Sequence, residues 1–388
     1  MLRIETILVK KSTSQEQITI QSEKILREYD LCVNCLDRLS SNKHWIHSNK
    51  IGKKLRKKST KCYICKNMFS NIQEHIDKML EISSDYQFST FHTGAILRPS
   101  YVDRDDSIRS KFQLKGIDSI KTELTRQINK RFEKKTKKKI DYHNPDITFT
   151  INFKNDSYEI RSKHICLFGR YTKNIRDFPQ KQKSCNNCNG KGCVSCDQHG
   201  ISNFGSVEGK ISEYVFQKFG AKQAKITWIG GEDKQSLVLG KGRPFFVKLV
   251  NPKKRKIKLA KKINLEQISI FNLKIIEQIP KEPIQFKSKI GIQIITDDKV
   301  NSSILKNLKS IKNSSIIVHE KPGKESKKTT YKLSYKKISS NSFRLDLTVD
   351  GGLPIKRFVE GNSVSPNVSQ ILDLQCKCKE FDFYDIEI

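Results

Sequence analysis

The sequence has no long hydrophobic run. No stretch of about eighteen consecutive apolar residues, the length that a membrane-spanning helix needs, occurs among its 388 residues. The first residues, Met1–Glu5, do not begin an apolar stretch of the kind found in a secretory signal peptide. These two absences argue against a transmembrane helix and a membrane partner, and they lead us to expect a cytoplasmic protein.

Acidic residues are scarce compared with basic ones. The chain has 41 Asp and Glu against 74 Lys and Arg, which gives a formal net charge of +33 and a pI near 9.7. A chain with this excess of positive charge repels itself unless it binds a polyanion, and nucleic acid is the usual polyanion. A proteome that is generally rich in Lys and Ile is the alternative explanation. Because the basic residues also cluster, we expect nucleic-acid binding.

The basic residues cluster in runs. Lys53–Lys58 is too polar to bury and is interpreted as a solvated loop, for which contact with phosphate groups is at least as good an explanation as simple exposure. Lys134–Lys139 follows a helix that we predict over residues 117–132, where apolar residues recur at helical spacing. Alternation of apolar and polar residues predicts strands over 147–153 and 343–349.

A chain of this length is too long for one ordinary core, so we expect several domains. Composition suggests a Cys-containing region over residues 1–70, a mixed region over 71–178, a Gly-, Asn- and Cys-rich connector over 179–206 and a mixed α/β region over 207–388. The expected fold class is therefore α+β.

Eight of the eleven cysteines occur in Cys-x-x-Cys pairs. Each pair presents two thiolates on a tight turn, and two such pairs can close a tetrahedral metal site. The pairs form two groups: Cys32, Cys35, Cys62 and Cys65, and then Cys185, Cys188, Cys193 and Cys196. We predict structural Zn²⁺ in the first group, where His44 and His47 are the competing ligands.

The second group fits four thiols into a short segment, because Gly190 and Gly192 permit a sharp turn between the pairs. A second structural Zn²⁺ is favoured there, with an iron–sulfur cluster as the alternative. The remaining cysteines, Cys166, Cys376 and Cys378, are expected to pack in the core.

The segment 228–245 has an unusual composition. An apolar strand ends at Gly230 and Gly231, Glu232-Asp233 follows, and a second glycine-rich turn leads into Arg243. From the residues alone, this is a carboxylate held on a tight loop beside basic residues. An acidic turn between two strands explains the same pattern.

This segment resembles the signature of the archaeal-type tRNA pseudouridine synthases that modify positions 54 and 55 in the TΨC loop. Their usual form is Gly-Arg-Glu-Asp, six residues, and then Gly-x-Gly-Arg-Pro-Phe, with the spacing found here. Both cysteine groups, Gly169–Tyr171, Gly351–Lys356 and Ser365–Ser369 also fit, so the resemblance covers most of the chain. Residues 86–170 resemble a THUMP domain, an RNA-binding module.

The resemblance implies a four-cysteine zinc-binding region and a THUMP-like RNA-binding region, followed by a pseudouridine synthase catalytic domain. It implies that Asp233 attacks a flipped-out uridine, and that tRNA is the partner, with no organic cofactor and no obligate protein partner. It also implies substrate-binding roles for five residues: Arg243, Ile290, Pro354, Ile355 and Lys356.

The chain departs from the family pattern at three single residues and in the run Lys234–Leu237, where the family has a more acidic and Arg-containing run. Gly231 stands where the family usually has Arg, and Ile290 and Pro354 stand where it has Tyr. Lys234 and Lys356 are the candidates for the cation beside Asp233. These departures support an alternative, a non-catalytic tRNA-binding protein or RNA chaperone with a degenerate pocket. A zinc-ribbon DNA-binding factor is a third reading, which leaves the C-terminal half unexplained.

Overall fold

The computed structural model describes residues 20–40, 61–321 and 323–388. The chain divides into two compact units, the first ending at Lys163 and the second spanning His164–Ile388. The basic run Lys53–Lys58 and both candidate histidine ligands, His44 and His47, lie outside the described residues. Within the described ranges, no helix is long and apolar enough to cross a bilayer.

The first unit combines helices with a four-stranded sheet. Its elements are α1 (residues 20–28), α2 (Val33–Ser40), α3 (Ile72–Ser83), β1 (Thr90–Ile96), α4 (Pro99–Lys111), α5 (Ile120–Thr136), β2 (Lys139–Ile140), β3 (Ile147–Asn152) and β4 (Ser157–Ser162). The strand order is β2-β1-β3-β4, with β1 parallel to both neighbours and β4 antiparallel to β3. The predicted helix and the first predicted strand are found as α5 and β3.

Helix α5 illustrates how the sequence specifies an element. The hydroxyl of Ser119 accepts a hydrogen bond from the Thr122 amide at 3.2 Å, and the helix ends where Lys137 adopts a left-handed conformation. Its apolar stripe is buried, and Phe132 packs edge-on against Phe91 and Phe149 at ring-centroid distances of 4.8 and 5.3 Å. The periodicity therefore predicted packing correctly.

The second unit is built on an eleven-stranded sheet. Its elements are β5 (Ile165–Lys173), α6 (Val207–Phe219), β6 (Gln223–Trp228), β7 (Val238–Val250), β8 (Lys262–Leu265), β9 (Ile268–Ile276), β10 (Lys287–Thr296), α7 (Ser302–Leu305), β11 (Ser315–Lys321), β12 (Lys324–Ser339), β13 (Ser342–Asp350), α8 (Ile355–Glu360), β14 (Val364–Ser365), α9 (Val368–Leu372) and β15 (Cys376–Glu387). Short 3-10 helices add Met68–Asn71 to the first unit and Val194–Cys196 and Lys306–Ile311 to the second.

The strand order in this sheet is β14-β11-β12-β13-β10-β15-β7-β5-β9-β8, and β6 also pairs with β7. Strand β5 is antiparallel to both β7 and β9, so residues 165–173 belong to the second unit. The division therefore differs from the expected boundary after residue 178. Alternation shows that a strand has a buried face, but it does not show which sheet the strand joins.

The two expected N-terminal regions are not separate in the structure. Buried residues of the first cysteine group, such as Cys35 and Ile64, share one hydrophobic core with Phe91 and Ile147 of the four-stranded sheet. A short segment buries little apolar surface by itself, and here its apolar side chains are buried against the sheet. The region of the first cysteine group and the sheet therefore fold as one unit.

Three parts of the second unit converge near one end of β7. Strands β6 and β7 pair antiparallel with Trp228 opposite Phe245, so the loop 229–237 connects them beside the sheet. The end of β5 lies next to β7, with Tyr171 opposite Arg243. Helix α8 packs against β15, which pairs with β7 through Phe383 and Val238.

Candidate active site

Asp233 lies in the loop between β6 and β7. Its Oδ1 accepts a hydrogen bond from the Gln235 amide at 2.9 Å, and its carbonyl oxygen accepts one from the Ser236 amide at 3.0 Å. These two bonds close a tight turn around the residue. The side chain is 29% exposed, so the carboxylate is oriented by its own loop and still reaches solvent.

Lys356 supplies the cation beside Asp233. Its Nζ lies 2.8 Å from Asp233 Oδ2 and donates a hydrogen bond to it. Lys356 is in the first turn of α8, and its side chain is half exposed. The other candidate, Lys234, lies 3.4 Å from Asp177 instead.

The surroundings of Asp233 favour its ionised form. Burial works to raise the pKa of the carboxyl group, but the hydrogen bond from Lys356, the Gln235 amide and the charges of Lys356 and Lys173 outweigh it. The net pKa lies below its ordinary value. The hydrogen bond to Asp233 also raises the pKa of Lys356. Both groups are therefore charged at neutral pH.

Glu232, the neighbour of Asp233, points into the protein. Its fully buried carboxylate accepts a hydrogen bond from the Tyr171 hydroxyl at 2.7 Å. Lys173 Nζ lies 3.1 Å from Oε1 and Arg243 Nε lies 3.4 Å from Oε2, and both cations are also buried. Burial, followed by the charge of Glu232, raises the pKa of Tyr171 well above its ordinary value, so the phenol stays a donor.

Lys173 and Arg243 also hold the backbone of the loop. The ammonium group of Lys173 donates to the carbonyl oxygens of Phe178, Asp233 and Lys234 at 2.9, 3.3 and 3.3 Å. Arg243 donates to the Ile229 carbonyl at 2.8 Å, and its guanidinium lies over the Phe383 ring at 4.3 Å from the centroid. The buried charges thus fix both ends of the segment that carries Asp233.

Arg176 holds the same loop from its other side. It binds both carboxylate oxygens of Asp382, at 2.9 and 3.0 Å, and it donates to the Gln235 carbonyl. Asp382 in turn accepts a hydrogen bond from the Leu237 amide at 2.8 Å. We did not predict Arg176, Lys173 or Glu232 as site residues. The signal in the sequence was Tyr171, which ends the Gly169–Tyr171 motif and donates a hydrogen bond to Glu232.

The predicted substrate-binding residues occupy different environments. Lys356 and the partly exposed Pro354, which precedes α8, lie at the surface, whereas Ile290, Ile355 and Arg243 are buried. Ile290 is opposite Phe383 and Leu347 in the sheet, so it shares a face with the ring that Arg243 covers. Arg243 contacts Glu232, and no described contact joins it to Asp233.

Gly231 has open space beside it. A Cβ built at this position would have as its nearest neighbour Gln180 Oε1, at 4.0 Å. The family's Arg at this position would therefore meet no steric barrier at its first side-chain atom. Its replacement by Gly leaves Lys356 as the cation that contacts Asp233.

The two cysteine groups each bring four thiols together. In both groups the Sγ atoms lie within 4.8 Å of one another, which suits a single ion or a small cluster with four thiolate ligands. In the second group, the amides of Gly192 and Gly200 donate to Cys188 and Cys196 at 3.2 Å each, as expected for sulfurs that carry negative charge. Both groups could therefore hold a metal.

The remaining cysteines have structural surroundings. Cys166 and Cys376 are buried in the core, and Cys378 is half-buried against it. Burial raises the pKa of Cys376 to about 11 and that of Cys378 to about 12, so both stay protonated thiols. Among the described residues, the two predicted groups are the ones that converge as metal sites.

Family models and curated proteins match most of this chain. Residues 166–387 match the family model described as "Pus10, C-terminal", and residues 75–152 match "Pus10 THUMP domain, archaeal". The "tRNA pseudouridine synthase Pus10" of Nitrosopumilus maritimus is 50% identical over 97% of this chain and 100% of its own length. The protein of the same name in Cenarchaeum symbiosum is 32% identical over 93% of this chain and 91% of its own length.

Among solved structures, the crystal structure of a Cbf5-Nop10-Gar1 complex has a chain that is 9% identical, with a TM-score of 0.28 over 45% of this chain and 43% of that chain. The sequence matches confirm the expected α+β fold class, with a THUMP region followed by a catalytic domain, and the resemblance on which that expectation rested. Since one family model covers more than half of the chain and a full-length relative is half identical, the chain belongs to the Pus10 family.

Proposed function

We propose that this protein is a tRNA pseudouridine synthase that isomerises uridine 54, uridine 55 or both in the TΨC loop, with Asp233 as the nucleophile. The observation that carries the proposal is the Asp233–Lys356 pair, an ionised carboxylate that is held on a rigid loop and still reaches solvent. The family relationship supports the tRNA pseudouridine synthase activity, which is the name of the curated relatives.

The reaction needs little chemical machinery. Isomerisation breaks the bond between the base nitrogen and the ribose and forms a bond from the ribose to a base carbon. That carbon loses a proton and the nitrogen gains one, so the composition is unchanged. Asp233 attacks the uridine as a carboxylate, and the bond that it forms breaks again when the base has rejoined through carbon, so the carboxylate is regenerated. Lys356 keeps that carboxylate ionised and oriented. No electron is transferred, so no redox cofactor is required.

A uridine within a folded loop must leave its stack before Asp233 can reach it, and this unstacking costs a few kcal/mol. Binding elsewhere on the tRNA has to offset that cost. Exposed basic residues on α5 are suited to phosphate contacts: Lys121, Lys130, Arg131 and Lys134. Arg126, on the same helix, pairs with Glu123. We propose that the first unit grips the tRNA and that the second unit carries the reaction.

The five candidate substrate residues take different roles in this proposal. Lys356 and Pro354 lie where they can contact the flipped nucleotide, and Ile290 and Ile355 form apolar support below the surface. Arg243 is buried against Glu232 and acts by holding the loop. An aliphatic side chain can pack against a base but cannot shuttle a proton, so the isomerisation here must proceed without the two family tyrosines.

We propose that both cysteine groups bind structural Zn²⁺. Four thiolates leave no open coordination position for water or substrate, so the metal has no part in the isomerisation. In the second group, Gly190 and Gly192 lie between the two cysteine pairs and have positive φ angles, which lets the chain turn sharply enough for a compact tetrahedral site. Metal analysis of the purified protein would distinguish zinc from an iron–sulfur cluster, which also absorbs visible light.

The deciding experiment incubates unmodified tRNA transcript with the protein and with Asp233→Asn, and maps pseudouridine by carbodiimide-blocked primer extension. Asn keeps the size of the side chain and can still accept the Gln235 hydrogen bond, but it is not a carboxylate nucleophile. The matched control is Asp297→Asn, which removes an exposed carboxylate that lies 3.5 Å from Lys377. We expect a stop in the TΨC loop with the wild type and the control, and no stop with Asp233→Asn.

If the wild type and both variants give no stop, although the wild type binds tRNA in a salt-sensitive way, the alternative of a non-catalytic tRNA-binding protein is favoured. The buried Ile290 and the helix-capping Pro354 are the observations that would explain such a loss. Competition between tRNA and duplex DNA at matched salt tests the zinc-ribbon DNA-binding reading, which fails if tRNA displaces the DNA.

A further inference from the structure

Phe286 lies between the two segments that carry Asp233 and Lys356. It immediately precedes β10, and its side chain is only partly buried against the core. Its carbonyl oxygen accepts a hydrogen bond from the Gly351 amide at 2.7 Å, so its backbone is tied to the turn that leads into α8. Its ring reaches from there to the loop of Asp233.

Two glycines make room for the ring. A Cβ built on Gly230, in the loop of Asp233, would stand 2.6 Å from Phe286 Cζ and 2.9 Å from an Arg243 nitrogen. A Cβ built on Gly351 would come closer still to three ring atoms of Phe286, including the same Cζ. Since real Cβ atoms do not approach other atoms so closely, both segments can pack on the ring only because they have glycine at these points.

Both segments therefore pack against the same end of the Phe286 ring. Gly230 and Asp233 belong to the same short loop. Lys173, Arg243 and Arg176 donate hydrogen bonds to backbone carbonyl groups of this loop. Gly351 is joined to Lys356 by the short turn at the start of α8. The packing of the two glycines on the ring therefore bears on the distance between the loop of Asp233 and α8.

We propose that Phe286 is a positioning residue, whose ring sets the separation of the Asp233 loop from α8 and so fixes the Asp233–Lys356 contact. The proposal rests on the proposed role of Asp233. The ring tip is enclosed between glycines, which fits a spacer better than a platform for a base. The charged and titratable groups that face Asp233 are Lys356, Lys173 and Cys378, and Lys356 is the one that the Gly351 turn carries.

The first test compares Phe286→Ala and Phe286→Leu with the wild type. We expect single-turnover isomerisation to slow about tenfold in Phe286→Ala and less in Phe286→Leu, because a small misplacement of reacting groups is costly. With Lys356 displaced, the acid limb of the pH–rate profile should move upward by about half a pH unit or more. The affinity for tRNA should stay within about twofold, since phosphate contacts dominate it.

The matched control is Phe168→Ala. Phe168 is also a half-buried phenylalanine packed on the same core, where it lies 5.2 Å from Phe246 between ring centroids. Its removal should lower the melting temperature as Phe286→Ala does, without changing the acid limb. An equal change of the acid limb in both variants would mean that general loosening of the core is responsible, and would overturn the proposal.

The second test uses suppression. Gly351 does not have a left-handed backbone, so Gly351→Ala should slow the reaction mainly through the clash of its methyl group with the Phe286 ring. Leucine lacks the ring tip, so Phe286→Leu combined with Gly351→Ala should be faster than Gly351→Ala alone. A double variant that is slower than both single variants would overturn the spacer role.

Failure of this proposal can be told apart from failure of the proposed function. If the wild type isomerises uridine through Asp233, but Phe286→Ala has an unchanged rate and acid limb, only the spacer role is lost. A loss confined to KM would assign the ring to substrate contact instead, and would overturn the proposal. If the wild type forms no pseudouridine, ¹³C NMR titration of the Asp233 carboxyl decides: an upward shift of its pKa in Phe286→Ala supports the spacer, and no shift overturns it.

Discussion

Lys356 Nζ and Asp233 Oδ2 lie 2.8 Å apart, although 123 positions separate the two residues in the sequence. Asp233 is held by a loop of the β6–β7 connection, and Lys356 is held by α8 after β13. The backbone of Asp233 accepts hydrogen bonds from the Ser236 amide and Lys173, and Lys356 lies in the first turn of α8. The ion pair therefore joins two segments that are held independently, and its partners can be tested separately.

Lys356→Gln should slow isomerisation at neutral pH by about tenfold, because a charge-assisted hydrogen bond that orients Asp233 is lost. The folded-state pKa of Asp233 lies below its ordinary value, so activity is lost only as the pH falls through that lowered pKa. Removing Lys356 raises the pKa, and the acid limb of the single-turnover pH–rate profile should then appear at higher pH.

Lys234→Gln provides the comparison, because Lys234 is next to Asp233 in sequence but its side chain lies 3.4 Å from Asp177. We expect its acid limb to match that of the wild type. A larger upward shift for Lys234→Gln than for Lys356→Gln would contradict the assignment of Lys356 as the cation beside Asp233.

Glu232→Gln should destabilise the second unit strongly. The substitution keeps the size of the side chain but leaves Lys173 and Arg243 buried without a carboxylate, and breaking a buried ion pair in this way costs about 3–5 kcal/mol. Thermal unfolding of the full chain measures the effect. Glu380→Gln is the control, since it removes a partly exposed carboxylate 3.3 Å from Arg176 and should cost under about 1 kcal/mol. Equal melting temperatures for the two variants would refute the buried network.

Asp105→Asn should destabilise the first unit. Asp105 pairs with buried Arg38 of α2 and accepts a hydrogen bond from the Ile120 amide at 3.0 Å, so it joins the cysteine-group helix to α4 and α5. Losing one partner of this buried pair should cost about 3 kcal/mol or more. Asp106→Asn is a matched neighbour, because Asp106 is 60% exposed and pairs with Arg109 at the surface. Limited proteolysis should cleave the first unit of Asp105→Asn faster than that of Asp106→Asn.

Metal content should be about two ions per chain, one for each group of four thiols. Cys62→Ser should remove one ion and loosen the first unit, because the Ile64 carbonyl next to Cys65 accepts hydrogen bonds from Arg104 of α4 at 3.2 and 3.3 Å. Cys166→Ser, in the core outside both groups, should keep both ions. Elemental analysis after gel filtration measures the content, and an unchanged content in Cys62→Ser would disprove the first site.

Local elements of this protein could be predicted from the sequence. The apolar stripe of α5 and the alternation in β3 and β13 each reflect a regular period of side-chain burial, and the structure confirms all three. The placement of β5 could not be predicted, because the apolar run at the start of residues 165–173 indicates a buried strand without showing which sheet the strand joins. Partner strands are chosen by contacts between residues that are distant in sequence.

The candidate site shows the same division. Spacing alone predicted both cysteine groups, because each Cys-x-x-Cys pair is a local structure that presents two thiols together. The motif identified Asp233, but it did not show that its neighbour Glu232 points inward to two buried cations while Asp233 points outward. Two adjacent acidic residues look equivalent until the loop conformation separates them.

The sequence by itself determined the basic charge, the thiol groups, the family and the segment that holds the candidate nucleophile, since all of these depend on composition or on short spacings. Tertiary structure alone decided that Lys356 and not Lys234 reaches Asp233, that Arg243 is buried, and that Phe286 lies between Gly230 and Gly351. These relations join segments that are far apart in the chain, and only the packing of the sheet brings such segments together.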